Sequence, residues 1–303
     1  MAMNAKNMPA DELFFGHKAC AGCGGSLAVR AALKVLGPNA VAALPAGCMS
    51  AVGFNFPQLC FANNAMITPF AATAAVLTGI EAGLRAQGKK PDDCTVVGFA
   101  GDGGTADIGI QALSGAIDRN DDVLYICYDN EAYMNTGIQR SSSTPRFAKA
   151  TTSPVGTVIP GKTQNKKNLT DIIAAHNVPY VAQTTFISNF RDLYTKAKKA
   201  IYTPGPSFLN VMSPCPRGWE YPTEKLPEIC KLAVETCVWP LFEDIDGVWH
   251  LSYEPKQKRP VEEYLRMQGR FRHMFKPGNE WMIEQVQKEV DRNWEELLHL
   301  CGE

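Results

Sequence analysis

Two strand ends that must meet constrain this chain more than any other feature. Residues 94–100 are a short apolar run of strand type that stops at Gly101-Asp102-Gly103-Gly104, and residues 123–128 are a second that stops at Asp129-Asn130. Between them Ile108, Ala112, Leu113 and Ala116 recur at helical spacing. The unit is strand, helix, strand, and a right-handed crossover makes the two strands parallel. Asp102 and Asn130 then arrive together beyond the carboxyl ends of the sheet, where ligands of such sheets bind. Glycines around Asp102 let backbone N–H groups approach a diphosphate, and a carboxylate with an amide oxygen suits Mg²⁺ alongside phosphate oxygens. Taken singly, each could be a plain turn. The pairing of Gly-Asp-Gly with Asn130, 26 residues lying between them and both at strand ends, argues for a magnesium diphosphate site.

The chain has 303 residues, 45% hydrophobic and 20% charged, so a sizeable core is available. A net charge of −1 gives no general attraction to nucleic acid or anionic membrane, and neither is expected as a partner. Residues 1–15 lack a basic stretch followed by an apolar core, and the apolar run 65–84 is broken by Pro69 and Glu81. That run predicts a buried helix, and the location expected is cytoplasmic.

Ten cysteines in a reducing compartment are buried apolar residues or metal ligands. Cys20-Ala-Gly-Cys23, among glycines, is a hook that points two thiolates at one metal, with Ser26 as the expected N-cap of a helix to Leu36. By itself it suits zinc, a redox dithiol or an iron–sulfur cluster. Residues 39–44 read as a strand closed by Pro45-Ala46-Gly47-Cys48, and residues 207–212 as another ending in Ser213-Pro214-Cys215. One pair plus two distant single cysteines leans to a 4Fe–4S cluster and leaves zinc open. Cys60, Cys94, Cys127, Cys230, Cys237 and Cys301 lie in apolar or helical runs and read as core.

Residues 70–87 predict an alanine-rich helix on which Glu81 is a solvated face. Residues 131–167 are a long polar loop, of the kind that carries function or an interface. Helix and strand then alternate: helices over 168–177 and 189–202, strands over 179–186 and 207–212. This describes a doubly wound, mainly parallel α/β sheet over residues 1–216. Residues 217–303 form a C-terminal extension that is mostly helical: a helix over 229–236, a strand over 248–253 and charged amphipathic helices over 260–274 and 281–300. Trp239, Trp249, Trp281 and Trp294 there are consistent with packing on another surface.

The Gly-Asp-Gly to Asn spacing resembles the signature of thiamine diphosphate enzymes, in which the carbonyl two residues after the Asn, here Ala132, completes the Mg²⁺ ligands. Nearly the whole chain resembles the beta subunit of the 2-oxoacid:ferredoxin oxidoreductases. Cys20-Ala-Gly-Cys23, Gly47-Cys48, Gly101 to Gly109, Leu124 to Gly137, Gln139-Arg-Ser141, Ser213-Pro-Cys215 and Pro260-Val-Glu-Glu263 carry the resemblance. It implies the thiamine diphosphate-binding fold and a 4Fe–4S cluster on Cys20, Cys23, Cys48 and Cys215. It implies cofactor contacts from Gly47, Cys48, Gly101, Asp102, Gly103, Gly104, Asn130, Ala132, Tyr133, Asn135 and Thr136, with Asn135 and Cys48 at the reacting centre. It also implies oxidative decarboxylation of a 2-oxoacid, with coenzyme A taking the acyl group and electrons leaving singly for the cluster and then ferredoxin. Alpha, gamma and delta subunits are the implied partners, the alpha subunit supplying the glutamate that activates the cofactor. The pattern departs from the pyruvate type at Ser50, at residues 54–61 and where Phe70-Ala71-Ala72 replaces a Phe-Glu-Asn helix start, so at Ala71 and Ala72. Pyruvate is the expected substrate, oxalate without coenzyme A the alternative acid, and a non-redox thiamine diphosphate decarboxylase the competing class.

Overall fold

The computed structural model describes residues 12–55, 57–90, 93–186 and 190–302. The first eleven residues, on which part of the leader-sequence expectation rests, and Asn189, the expected start of one helix, lie outside them. An eight-stranded sheet organises the chain. The first helix, α1 (Gly24–Leu36), leads to β1 (Val41–Pro45) and a short α2 (Cys48–Gly53). A two-stranded ribbon, β2 (Phe54–Asn55) with β3 (Gln58–Leu59), precedes β4 (Asn64–Thr68) and α3 (Thr73–Ala86). Next come β5 (Val96–Gly101), α4 (Ile110–Asp118), β6 (Leu124–Asp129), α5 (Leu169–Ala174), β7 (Tyr180–Thr185), α6 (Phe190–Tyr202) and β8 (Ser207–Met212). The remainder adds α7 (Pro216–Trp219), α8 (Leu226–Glu235), β9 (Leu241–Ile245), β10 (Val248–Tyr253), α9 (Val261–Arg266) and α10 (Glu280–Leu300).

The strand order is β10-β9-β7-β8-β6-β5-β1-β4. The six strands from β7 to β4 run parallel, while β9 and β10 continue the same sheet antiparallel. From β1 the chain steps outward to β4 and returns to β5 on the other side of β1, so the connection direction reverses between β1 and β5. That is where a doubly wound sheet opens its crevice. Helices cover both faces: α1 and α6 pack on one, α3, α4 and α5 on the other. Strands β6, β7 and β8 are buried at every residue, which explains why they are mostly apolar on both faces rather than alternating.

Some expectations change. The apolar run 65–84 is an edge strand followed by a helix, because Pro69 removes a donor and divides it. Residue 216 marks no break in the sheet: β9 pairs with β7, and Trp219, Ile229 and Tyr264 share one hydrophobic cluster with α1 and α6. The tail tryptophans find partners within the chain, Trp249 stacked on Phe242 with centroids 5.3 Å apart and Trp281 edge-on to Phe147 at 5.4 Å. Of the six cysteines read as core, Cys60, Cys127, Cys230 and Cys237 are buried, whereas Cys94 and Cys301 are only half-buried.

Leu209, in the middle of β8, is wholly buried. Leu209→Ala should cost about 3 kcal/mol through lost transfer energy and the cavity left behind, read as a fall in the urea midpoint at unchanged m-value.

Candidate active site

The carboxyl ends of β1, β5, β6 and β8 converge on one edge, and the chemistry-bearing residues follow each of them directly. After β5 the chain enters a π turn over Gly103–Asp107, with the Ile108 N–H donating to the Gly103 carbonyl at 3.2 Å. The sequence placed this helix from about Ile108; the wider turn starts earlier because glycines 103 and 104 let the backbone open. Gly103 and Gly104 line the cleft, and glycine backbone there is the kind that lets N–H groups approach a diphosphate. A Cβ at Gly103 would lie 2.5 Å from the Tyr133 ring, so glycine is required for that ring to close the cleft wall. Tyr133 is held edge-on to Phe70, with centroids 5.8 Å apart, and its backbone bridges Gln139 in both directions.

Asp102 is completely buried. Its Oδ1 accepts from the Asn130 N–H at 3.2 Å and its Oδ2 from the Ser141 hydroxyl at 2.5 Å. The Asn130 carboxamide faces Asp102 Oδ1 at 3.0 Å and the Ala132 carbonyl at 2.9 Å. With its nitrogen on that side it donates to both. With its oxygen there, three oxygens share a point at the roughly 3 Å spacing of adjacent ligands in an octahedron with 2.0–2.1 Å bonds. Burial, and then Asp129, raise the Asp102 carboxyl well above the ordinary carboxylate range. A hard cation at that point would relieve both the burial and the repulsion, so the donor set fits Mg²⁺.

Gly47, Cys48, Gly101, Gly103, Gly104, Asn130, Ala132, Tyr133, Asn135 and Thr136 all line a single cleft, together with Phe70, Tyr128 and Met134. Asn135 and Thr136 are exposed, and Thr136 is tied to Gln139: its hydroxyl donates to Gln139 Oε1 at 2.5 Å and its carbonyl accepts from Gln139 Nε2 at 2.6 Å. Ser50 is turned away from this space. Its hydroxyl accepts the Gly47 N–H at 2.8 Å and donates to the Gly47 carbonyl at 3.0 Å, closing the turn before α2.

The cysteines gather at the rim of the same edge. Cys23, rather than Ser26, caps α1: its Sγ accepts the Ser26 N–H at 3.5 Å, and the Ser26 hydroxyl bonds back to the Cys23 carbonyl. The Gly24 N–H donates to the Pro214 carbonyl at 3.1 Å, and a Cβ there would lie 2.6 Å from Ser213, so glycine brings Cys23 against the segment bearing Cys215. The Cys215 Sγ accepts the Gly218 N–H at 3.4 Å. Burial, then Cys23 and Cys215, and more weakly Cys20, push the Cys48 thiol up to about 12. All four cysteines are therefore electrostatic neighbours, with Cys20 outermost and exposed. Among the described residues no three His, Cys, Asp or Glu side chains lie close enough for a single metal ion. A cubane holds its ligands further apart than a single ion does, and thiols that resist ionisation need a metal to displace their protons; the set fits a 4Fe–4S cluster.

Ser141 stands out in the sequence only through the resemblance, and Trp219, Lys166 and Arg270 have no signal of their own there. Ser141 reaches Asp102 across 39 positions, and Trp219 Nε1–H donates to the Asn130 carbonyl at 2.8 Å across 89. Lys166 binds Asp129 at 3.1 Å and Glu131 at 2.7 Å, and Arg270 pairs with Glu131 from the other side. Each is separated from its partner by tens of residues without periodicity.

Residues 45–211 match the family described as thiamine pyrophosphate enzyme, C-terminal TPP binding domain. Fold and cleft thus define a thiamine diphosphate-binding protein. Pyruvate synthase subunit PorB of Methanothermobacter thermautotrophicus is 49% identical, the match covering 93% of this chain and 96% of that one. Ketoisovalerate oxidoreductase subunit VorB of Pyrococcus horikoshii is 47% identical over 97% of this chain and 95% of its own. Among solved structures, 2-oxoglutarate:ferredoxin oxidoreductase from Magnetococcus marinus superposes with a TM-score of 0.58 at 25% identity, covering 70% of this chain and 69% of that one. The chain belongs to the family of 2-oxoacid:ferredoxin oxidoreductase beta subunits.

Gly103→Ala should displace the Tyr133 ring and weaken thiamine diphosphate binding at least about tenfold, the usual consequence of a misplaced supporting group. Equilibrium titration at saturating Mg²⁺ checks this.

Proposed function

We propose that this chain holds Mg²⁺ through Asp102, Asn130 and the Ala132 carbonyl, thiamine diphosphate along the Gly101–Gly104 turn, and a 4Fe–4S cluster on Cys20, Cys23, Cys48 and Cys215. In a cytoplasmic complex with alpha, gamma and delta subunits it oxidises pyruvate to acetyl-CoA and CO₂, with ferredoxin as acceptor. The observation that carries the reading is the meeting of the Asn130 carboxamide with the Asp102 carboxylate at 3.0 Å and the Ala132 carbonyl at 2.9 Å, beside the π turn. When bound, thiamine diphosphate supplies the nucleophilic carbon and electron sink that decarboxylation of a 2-oxoacid requires, and a cluster accepts electrons one at a time. The chain's own side chains then have distinct tasks. The Gly103 and Gly104 N–H groups and the cation seat anchor the diphosphate. The Tyr133–Phe70 pair shields one wall of the cleft from water. Asn135, exposed and lining the cleft, presents an amide to the carboxylate or oxo oxygen of the acid. Cys48 lines the cleft and also belongs to the cysteine group, which supports an electron acceptor beside the reacting centre.

Pyruvate is favoured because relatives at 49% and 46% identity over more than nine-tenths of this chain are pyruvate synthase subunits. The test is anaerobic production with the partner subunits, followed by reduction of ferredoxin or a viologen with pyruvate, ketoisovalerate and oxalate, each with and without coenzyme A. Coenzyme A-dependent reduction with pyruvate is expected. Preference for ketoisovalerate, or activity with oxalate and no coenzyme A, would replace the substrate. No activity with any acid, from a complex with intact clusters, would favour the non-redox class.

Two substitutions separate the sites. Asp102→Ala should abolish Mg²⁺-dependent thiamine diphosphate binding while visible absorbance from the cluster persists. Cys48→Ser or Cys215→Ser should remove that absorbance and leave the fold formed; a full cluster complement in either variant would refute the ligand assignment.

A further inference from the structure

Between the two metal-ligating positions Asn130 and Ala132 sits a residue in an uncommon backbone state. Glu131 has φ 64°, the left-handed region that non-glycine residues rarely adopt. This bend lets the Asn130 side chain and the Ala132 carbonyl approach to 2.9 Å. It is gripped from behind at every polar atom. The Glu131 N–H donates to Asp129 Oδ1 at 3.0 Å and its carbonyl accepts the Thr144 hydroxyl at 2.6 Å. Its carboxylate is shared by Lys166, at 2.7 Å, and Arg270. The carbonyl of Asn130 accepts the Trp219 indole N–H at 2.8 Å. The Arg270 guanidinium lies 4.0 Å over the Trp219 ring, and its Nε donates to Gln268 Oε1 at 2.9 Å. Trp219 is wholly buried, and neither it nor Arg270 lines the cleft.

We propose that Trp219 and Arg270, both contributed by the C-terminal segment, are positioning residues that set the geometry of the cation seat and so its selectivity for Mg²⁺ over larger cations. The inference rests on the Mg²⁺ reading of Asp102, Asn130 and Ala132. The physical reason is the difference in tolerance between ions: Mg²⁺ demands near-octahedral ligands at 2.0–2.1 Å, whereas Ca²⁺ accepts flexible sets at 2.3–2.6 Å. A bend in the left-handed region relaxes when its carbonyl or carboxylate is released, and relaxation spreads the Asn130 and Ala132 oxygens. A spread set still serves Ca²⁺ and fails Mg²⁺.

Trp219→Phe removes one N–H and keeps an aromatic face under Arg270. Arg270→Lys keeps the charge beside Glu131 and loses the planar stack. The full chain, produced with its partner subunits and stripped of metal by a chelator, is titrated with Mg²⁺ and separately with Ca²⁺ at saturating thiamine diphosphate, by calorimetry. Thermal midpoints are measured in parallel. Trp219→Phe should weaken Mg²⁺ binding about tenfold, as outer partners of metal ligands usually do, while Ca²⁺ changes by about threefold or less. Arg270→Lys should shift the ratio the same way, and it carries the test if Trp219→Phe does not fold. Equal weakening of both cations with a lowered midpoint would mean a merely structural role and overturn the proposal, as would unchanged Mg²⁺ affinity in both variants. If the wild-type complex takes up neither cation, the Mg²⁺ site itself falls, an outcome distinct from either of these.

Discussion

Three carboxylates are buried side by side at the carboxyl edge of the sheet, and the rest of the structure answers to that arrangement. Asp102, Asp129 and Glu131 are each less than 4% exposed. Lys166 spans Asp129 and Glu131, and Arg270 closes on Glu131, whose carboxyl these cations hold below its ordinary range against the cost of burial. Neither of these cations bonds Asp102, whose direct hydrogen-bond partners are the neutral Ser141 hydroxyl and the Asn130 N–H. An uncompensated buried charge costs several kcal/mol unless it is neutralised or paired. The charge pattern therefore favours a bound cation at the point where Asp102, Asn130 and Ala132 meet, and it explains why the loop carrying Lys166 is as long as it is. That loop must leave β6, wrap the site and return to place an ammonium beneath it.

The parallel sheet makes this arrangement possible. Parallel strands end on the same edge, so β5 and β6, hydrogen-bonded from Val97–Leu124 to Gly101–Tyr128, release Asp102 and Asn130 side by side. The neighbouring ends of β1 and β8 release Cys48 and Cys215. Each of these residues follows its strand within three positions, and such short excursions are accurate because the sheet fixes their origin. Cys20 and Cys23 come from outside the sheet, and their placement depends on Gly24 closing against Ser213 and Pro214. Fold and site are in this sense one construction: the crevice at the switch between β1 and β5 is also the place where the chemical groups are delivered.

How much of this could be read from the sequence follows from the range of each interaction. Strand ends, glycine turns and the helical spacing between them are local, so β5, α4, β6 and β8 are legible, and with them the strand-end positions of Asp102, Asn130, Cys48 and Cys215. The π turn before α4 has no sequence period of its own and is not. The edge strand β4 was hidden in an apolar run whose alanines also suit a helix. β9 was missed because Leu241–Ile245 carries two acids, and what holds it is its pairing with β7, where Glu243 meets the Tyr180 hydroxyl at 2.6 Å. Trp219, Lys166 and Arg270 could not be found at all. Their partners lie 35 to 139 residues away, and a lone Trp, Lys or Arg in a tail or loop looks like any other.

The departures from the pyruvate-type pattern bear on acid choice differently once their positions are known. Ser50 spends both of its hydrogen-bonding roles on the Gly47 turn. In residues 54–61, Phe54 and Phe61 stack with centroids 5.6 Å apart, and Phe61 continues to Phe14, itself stacked on His17 at 4.7 Å. This aromatic ladder braces the β2–β3 ribbon, and none of its rings lines the cleft. A polar group engaged with its own backbone and rings engaged with one another contribute little to telling one small acid from another, since discrimination needs groups whose partner is the substrate. Among the described residues none of the divergent positions lines the cleft; Phe70, the residue shared with the pyruvate type just before Ala71 and Ala72, does, and its ring meets Tyr133 there. The variation after Cys48 is thus absorbed mostly as packing beside α2. Phe70, Met134 and Asn135 do line the cleft, and a difference in acid choice has to act through groups that meet the cleft rather than through this packing.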